Sequence, residues 1–322
     1  MKIISLFCGA GGMDLGFVKA GHEIVWANDF DQDSCDTYKK HFKHNVVCKP
    51  IEEVDSEKIP DGDVVIGGFP CQGFSVANKY RDEKDERNQL YLELKRVISE
   101  KNPKYFVAEN VKGITSLGGY DSKEDKAQKK GKIFKKILKE LSEAGKLGYH
   151  VEFKILNAVN FGVPQNRERT IILGTRKDIK NKLTHPTPIT LNNPKVLRDA
   201  IGDLPEEPNI FNKSYSEKKE NGHFNHYKNN HKVKINGHLG NRATKWDKPS
   251  PTVTGRGGGT GGPVIMPHPN LKRRMTVREY ARIQEFPDKF VFKGSISSQF
   301  RQIGNAVPWR LAFHIASMLP KE

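Results

Sequence analysis

Cysteine is scarce in this chain, and long apolar runs are absent. Only 4 of the 322 residues are cysteine (Cys8, Cys35, Cys48 and Cys71), irregularly spaced and without a Cys-x-x-Cys pair. That spacing argues against a disulfide framework and against a metal site of the zinc type, and it fits a reducing compartment. No stretch approaches the ~20 apolar residues that span a bilayer. Met1 to Phe7 is too short for a signal peptide, and glycines follow at once. A soluble cytoplasmic protein without membrane contact is expected. Acidic residues are also in deficit: 38 Asp and Glu face 54 Lys and Arg, a net charge of +16. Such an excess favours a polyanionic partner through counterion release, and a basic surface without a specific partner is the plainer alternative.

The first half alternates strand and helix patterns. Strand-like runs fall at Lys2 to Phe7, Glu23 to Ala27, Val64 to Ile66, Tyr105 to Ala108, Val151 to Leu156 and Thr170 to Leu173. Helical spacing covers Asp33 to Phe42, Leu90 to Glu100 and Lys132 to Leu141, and a helix to about Ala20 follows the first glycines. The alternation predicts a parallel sheet with helices on both faces. Asp121 to Lys132 reads as a charged surface loop. From about Asp178 to Pro269 the chain is rich in Asn, Lys, Pro, His and Gly, with weak periodicity. Trp246, Val253, Val264 and Ile265 give that stretch something to bury, so a loop-rich second domain fits better than disorder. Helices return near Val277 to Gln284 and Trp309 to Leu319.

Four constellations carry chemistry. In Ser5-Leu6-Phe7-Cys8-Gly9-Ala10-Gly11-Gly12, glycines lie at a strand–helix turn and let the backbone approach a ligand. Asp29, one strand later, stands where a carboxylate binds ribose hydroxyls. Glycines at 9, 11, 12 and 16 miss the strict Gly-x-Gly-x-x-Gly spacing, which favours an adenosine cofactor without a pyrophosphate. Next, Val64-Val65-Ile66-Gly67-Gly68-Phe69-Pro70-Cys71-Gln72 delivers a thiol at a strand end. An unperturbed thiol near pKa ~8.5 is only a few per cent thiolate at neutral pH, so it needs help to act as a nucleophile. Burial as a small apolar residue is the commoner fate of a lone cysteine. The polar segment Asn78 to Gln89 reads as a lid. Third, Ala108-Glu109-Asn110-Val111 sets a carboxylate at the sheet edge where α/β ligand sites lie. Fourth, Gln165-Asn166-Arg167-Glu168-Arg169 either holds a carbonyl oxygen or phosphate, or forms a surface run of ion pairs.

With Thr276 to Pro287 and Gln302-Ile303-Gly304-Asn305-Ala306-Val307-Pro308, these segments occur in one order over nearly the whole chain. In that order they resemble the DNA cytosine carbon-5 methyltransferases of the compact prokaryotic restriction-modification type. The resemblance implies an α/β fold of the S-adenosylmethionine-dependent methyltransferase class: a Rossmann-like mixed sheet with helices on both faces. Residues 1–178 and 271–322 would form the catalytic and cofactor-binding domain, and 179–270 a smaller, loop-rich target-recognition domain.

The implied reaction is methyl transfer from S-adenosylmethionine to carbon 5 of a flipped-out cytosine in duplex DNA, leaving S-adenosylhomocysteine. Cys71 would attack carbon 6, Glu109 would serve ring nitrogen 3, and Arg169 and Arg167 would hold the base carbonyl. Phe7, Gly9, Ala10, Gly12, Asp29, Phe30, Ile51, Gly68, Leu90, Asn305 and Ala306 would form the cofactor pocket. Gln72, Ser75, Thr252 and Arg256 would contact DNA. Two positions depart from the family pattern. Pro50 stands where an aspartate often bonds the adenine amino group, and Asn88 where glycine is frequent in the lid. A monomer associated with the nucleoid through DNA is expected, and a cognate restriction endonuclease acting on the same sequence stays open. Three rival readings remain: a transfer-RNA cytosine-5 methyltransferase of the same fold, whose Cys-Phe-Thr signature is missing, a nicotinamide oxidoreductase and a non-catalytic DNA-binding module.

Overall fold

Alternation of apolar residues explains the central strand. β1 (Lys2–Leu6) sends Ile3 to one face of the sheet and Ile4 and Leu6 to the other, as the two-residue period of a strand requires. The computed structural model describes residues 1–44, 46–69, 90–206, 208–210, 225–228, 243–257 and 265–320. β1 lies between β2 (Glu23–Asp29) and β4 (Val64–Gly67), parallel to both. β3 (Val46–Cys48) extends the sheet beyond β2, and β5 (Tyr105–Val111) beyond β4. The sheet closes with β6 (Tyr149–Asn157) and β7 (Glu168–Arg176), in the order β3-β2-β1-β4-β5-β7-β6. Strand β7 is antiparallel to both its neighbours. The sheet is therefore mixed, which alternation alone did not predict but the family resemblance did.

Strand order reverses between β1 and β4, with β2 and β3 on one side and β5 onward on the other. Ligand crevices in α/β sheets form at such a point, outside the carboxyl ends of the strands. Phe7 and Gly68 begin the two connections that leave it.

One face of the sheet is covered by α1 (Gly12–Lys19), α2 (Gln32–His41) and α9 (Trp309–Ala316), through Phe17, Tyr38, Leu311 and Ile315. The other is covered by α3 (Leu90–Lys101) and α5 (Lys132–Ser142), through Leu94, Ile98, Phe134 and Ile137. The C-terminal helix thus packs beside the first one. A third apolar cluster gathers α6 (Leu197–Ile201), α7 (Val277–Ile283) and α8 (Ile296–Asn305) with Val253 and Met266. Thr276 and Glu279 form a reciprocal capping box at the start of α7. Burial pushes the Glu279 carboxyl up, but bonds from the Arg273 guanidinium at 2.7 and 2.9 Å outweigh it and hold it below its ordinary range.

Three elements differ from the sequence reading. β3 and α8 were not anticipated: one is only three residues long, and the other carries serines and a glycine that blur helical spacing. The charged stretch after Asp121 holds a short helix, α4 (Lys123–Ala127). In the loop-rich region, β8 (Asn209–Ile210) pairs in parallel with β9 (Tyr227–Lys228). Cys71, Gln72, Ser75, Asn88 and the expected lid lie outside the described residues.

Helix α8 meets the segment Thr254–Gly257 so closely that a Cβ on Gly304 would overlap the Gly255 nitrogen and the Thr254 carbonyl carbon. Both are backbone atoms and cannot rotate aside. Gly304→Ala should therefore cost about 1–3 kcal/mol, the usual range for overpacking a core, measured by urea unfolding. A neutral result would show that the two segments separate freely.

Candidate active site

The turn after β1 is built from left-handed backbone. Phe7 and Gly9 both have φ near +54°, and Gly11 has φ +85°. For phenylalanine this conformation is rare, and such outliers gather at functional sites. The empty Cβ positions differ in what they meet. At Gly9 nothing lies within 4 Å, so the backbone faces open space. At Gly12 the Val307 carbonyl oxygen lies 2.6 Å away, so the missing side chain makes room for the C-terminal segment.

Asp29 braces this turn. The Gly9 N–H donates to its Oδ2 at 2.8 Å and the Asp31 N–H to its Oδ1 at 2.9 Å. Burial pushes its carboxyl above the ordinary value, and the two N–H groups oppose that only in part. The neighbouring Phe30 ring is 69% exposed, an unusual state for an aromatic side chain. Turn, carboxylate and ring line a cleft of about 390 Å³, which falls in the range of ligand-binding clefts. Its opposite lip is α8 and the residues after it, including Arg301, Asn305 and Ala306. Arg301 Nη2 reaches Asp31 Oδ1 at 2.9 Å, joining the two lips.

The same cleft extends to Gly68, Glu109 and Arg169. β5 is longer than expected and carries Glu109 within the strand, opposite Ile171 of β7. Arg169 enters from the start of β7 and places Nε 2.8 Å from Glu109 Oε1. Both side chains are about nine-tenths buried. Burial pushes the Glu109 carboxyl up, and Arg169 and then Arg167 offset that incompletely. Asn110 donates through Nδ2 to the Phe69 carbonyl at 3.0 Å, fixing the backbone that leads out of β4. On the far side of Arg169 a second cleft, about 530 Å³, is bordered by Lys112, Asn157, Asn166 and Thr252. The Thr252 hydroxyl donates to the Asn166 carbonyl at 2.6 Å.

Arg167 departs from its expected place. Its side chain is fully buried, with Nη1 donating to the Val253 carbonyl and Nη2 to those of Gly304 and Ala306, at 2.7–2.9 Å. Gln165 reinforces the junction: its Oε1 accepts from Val253 N–H, and its Nε2 donates to Gln284. Gln284 in turn bonds the carbonyls of Ile303 and Ala306. Arg167 is thus a strut, and only Arg169 presents its guanidinium to a cleft.

The structure brings Phe7, Gly9, Gly12, Asp29, Phe30, Gly68, Glu109, Arg169, Asn305 and Ala306 to one cleft. Ala10 is instead buried against the third apolar cluster, and Ile51 and Leu90 pack with the second. None of these three lines the cleft among the described residues. Pro50 is exposed at the head of a short 3-10 turn. Arg256 is exposed and borders neither cleft among the described residues. Sequence reasoning missed Asp14, a fully buried carboxyl that takes hydrogen bonds from Ser5 and Tyr38, with its pKa pushed up to about 6 by burial. An acid in an apolar helix just after the glycines was the available signal. Arg301, one residue before the quoted C-terminal motif, was missed as well.

A family model described as C-5 cytosine-specific DNA methylase matches residues 1–321. The Type II methyltransferase M.FnuDI of Fusobacterium nucleatum is 36% identical, over 99% of this chain and 94% of that protein. M.NgoFVII of Neisseria gonorrhoeae is 38% identical, over 99% and 86%. Among solved structures, a DNA modification methyltransferase encoded within an E. coli prophage superposes with a TM-score of 0.72 at 25% identity, covering 99% of this chain and 98% of that one. The Entamoeba histolytica methyltransferase EhMeth superposes at 0.68 and 19% identity, over 99% and 97%, a likeness of fold.

Removing the Arg167 strut strands buried acceptors. Each unsatisfied one costs about 1–3 kcal/mol, so Arg167→Met should lower unfolding free energy by about 3 kcal/mol or more, measured in urea. A loss under about 0.5 kcal/mol, the scale of a surface change, would contradict the strut.

Proposed function

The chain belongs to the C-5 cytosine-specific DNA methylases and is a DNA cytosine-5 methyltransferase; from that premise we propose a covalent mechanism on a flipped base. In this reading the methyl group passes from S-adenosylmethionine to carbon 5 of a cytosine swung out of a short, specific duplex sequence. The observation that carries it is the buried Glu109–Arg169 pair at the end of β5, in the same cleft as Asp29 and Phe30.

Cytosine is too electron-rich in its aromatic form for carbon 5 to take a methyl group directly. Attack of the Cys71 thiolate on carbon 6 makes carbon 5 enamine-like. Glu109, whose carboxyl burial raises above its ordinary value, hydrogen-bonds to or protonates ring nitrogen 3 as charge develops there. Arg169 holds Glu109 through Nε and has further N–H groups for the base carbonyl oxygen. Asn110 steadies the Phe69 carbonyl, two residues ahead of the nucleophile. S-adenosylmethionine, when bound, supplies the methyl group as an electrophilic sulfonium. Loss of the carbon 5 proton to solvent and elimination across carbons 5 and 6 then release Cys71.

The residues fit that cofactor. The open backbone at Gly9 suits close approach, the Asp29 oxygens retain lone pairs for ribose hydroxyls, and the exposed Phe30 offers a ring face to adenine. Ala306 and Asn305 complete the far wall. Flipping costs a few kcal/mol, offset by contacts to DNA from Thr252, Arg256, Gln72 and Ser75. We assign residues 1–178 and 271–322 to catalysis and 179–270 to target recognition. The relatives named Type II methyltransferases support a restriction-modification setting with a companion endonuclease. We take the working form to be a cytoplasmic monomer bound to DNA.

The test is to incubate the protein with S-adenosylmethionine and plasmid DNA containing 5-fluorocytosine, which blocks the final elimination. We expect a protein–DNA adduct that survives denaturation and vanishes in Cys71→Ala. Methyl transfer to transfer RNA but not to duplex DNA would overturn the reading.

Gly68 supplies a finer check. A Cβ there would lie 2.9 Å from Glu109 Oε2, so alanine displaces the carboxylate from its present position. Gly68→Ala should leave stability within about 0.5 kcal/mol while lowering kcat roughly 10-fold or more, because misplacing a proton-transfer group by an ångström forfeits much of its effect. Unchanged turnover would remove Glu109 from the reaction.

A further inference from the structure

The residues just beyond the catalytic strand form a closed excursion with a one-sided charge. After β5 the chain makes a 3-10 turn, Lys112–Ser116, then leaves at Gly119 and returns at Gly131. Its ends are tied: Lys132 N–H donates to the Gly119 carbonyl at 2.9 Å, and Gly131 N–H to that of Thr115 at 2.8 Å. Within it, α4 is capped by the Ser122 hydroxyl, which accepts from Asp125 N–H.

The acids of this excursion are engaged by neighbouring side chains. Asp121 pairs with Lys132 at 3.0 Å and Lys135 at 2.9 Å, and Asp125 pairs with Lys135 at 2.9 Å. Glu124 accepts from Gln128 one turn on. Lys123, Lys126 and Lys129 are left exposed, with no ion-pair partner among the described residues. Lys123 and Lys126 are three residues apart on one helix face, and Lys129 follows in a left-handed turn, φ +55°. The charges of Asp121 and Asp125 cancel those of Lys132 and Lys135. What remains is Lys123, Lys126, Lys129 and Lys130 against Glu124, a local net charge of +3.

Position decides what such a surface meets. Lys112 and Gly113 border the second cleft beside Arg169. Seven residues of chain from Lys112 to Gly119 span at most about 25 Å, less than the ~34 Å of one turn of duplex. The tied ends of the excursion therefore lie within one duplex turn of the second cleft. We propose that the Tyr120–Lys130 excursion, through Lys123, Lys126 and Lys129, is an auxiliary contact surface for the phosphate backbone of duplex DNA flanking the modified base. The proposal rests on the DNA-modifying function above and adds a sequence-independent contact from residues that line neither cleft.

The experiment compares wild-type protein with Lys123→Gln/Lys126→Gln/Lys129→Gln by fluorescence anisotropy, on a long random duplex of about 40 base pairs, roughly four helical turns. Each lost phosphate contact lowers the slope of log affinity against log salt by about 0.9. We expect the slope on the long duplex to fall by about 2–3 and affinity to weaken about 5-fold or more at moderate salt. A control, Lys19→Gln/Lys58→Gln/Lys146→Gln, removes the same charge from exposed positions elsewhere. Equal losses in the control, or no loss for the triple variant, would each overturn the proposal. Thermal midpoints verify folding, and Lys129→Glu alone should steepen the loss seen for Lys129→Gln. Methyl transfer to plasmid DNA is read in parallel. If the wild-type protein methylates no duplex DNA, the functional reading fails; if it does and the long-duplex slope is unchanged, only the excursion's role fails.

Discussion

A guanidinium buried away from water must find its partners within the protein, and the two Nη atoms of Arg167 show what that requirement organises, although its Nε stays without a partner among the described residues. Its Nη atoms bond carbonyls from Val253, Gly304 and Ala306, segments separated from it by 86 to 139 residues. Those three carbonyls come from the loop-rich part, the end of α8 and the connection into α9. Desolvation lowers the affinity of Arg167 for its own proton, a cost met only while all of these segments stay in place. Closure of the chain onto its first domain and placement of Arg169 two residues later are therefore one event. Val307 beneath Gly12 belongs to the same closure, because the C-terminal segment fills space that the glycine turn leaves.

Much of this was readable in the sequence. The β1 turn, Asp29 and Glu109 were singled out by short motifs at strand ends, where local spacing determines where a side chain emerges, whereas Arg169 was singled out only through the family resemblance. Strand β7 illustrates the limit. Its direction depends on pairing with β5 and β6, and nothing in Thr170 to Leu173 encodes a direction. The two arginines of Gln165 to Arg169 illustrate another limit. They alternate with Glu168 as a strand requires, but the three residues cannot reveal that one guanidinium meets backbone carbonyls arriving from across the chain. Ala10 and Ile51 were assigned to the cofactor by family position, yet their side chains pack into apolar clusters. α8 escaped notice because its serines and glycine blur the helical spacing of a helix that serves two neighbours at once.

That double service of α8 has a physical consequence for the two clefts. Phe300 and Ile303 face the third apolar cluster, while Arg301, Gln302 and Asn305 line the cleft that holds Asp29. Along the same helix, Gly304 abuts the backbone of Thr254 and Gly255, and a Cβ on Gly257 would press into the Phe300 ring. Thr252, two residues before Thr254, borders the second cleft. The segment leading to one cleft and the wall of the other are thus in backbone contact, with no side chain between them to absorb a shift. Close-packed interiors transmit displacement rather than dissipate it. In the proposed reaction the methyl donor and the base share the cleft that runs from Asp29 to Glu109, and a wall that cannot yield is a direct way to hold their separation constant.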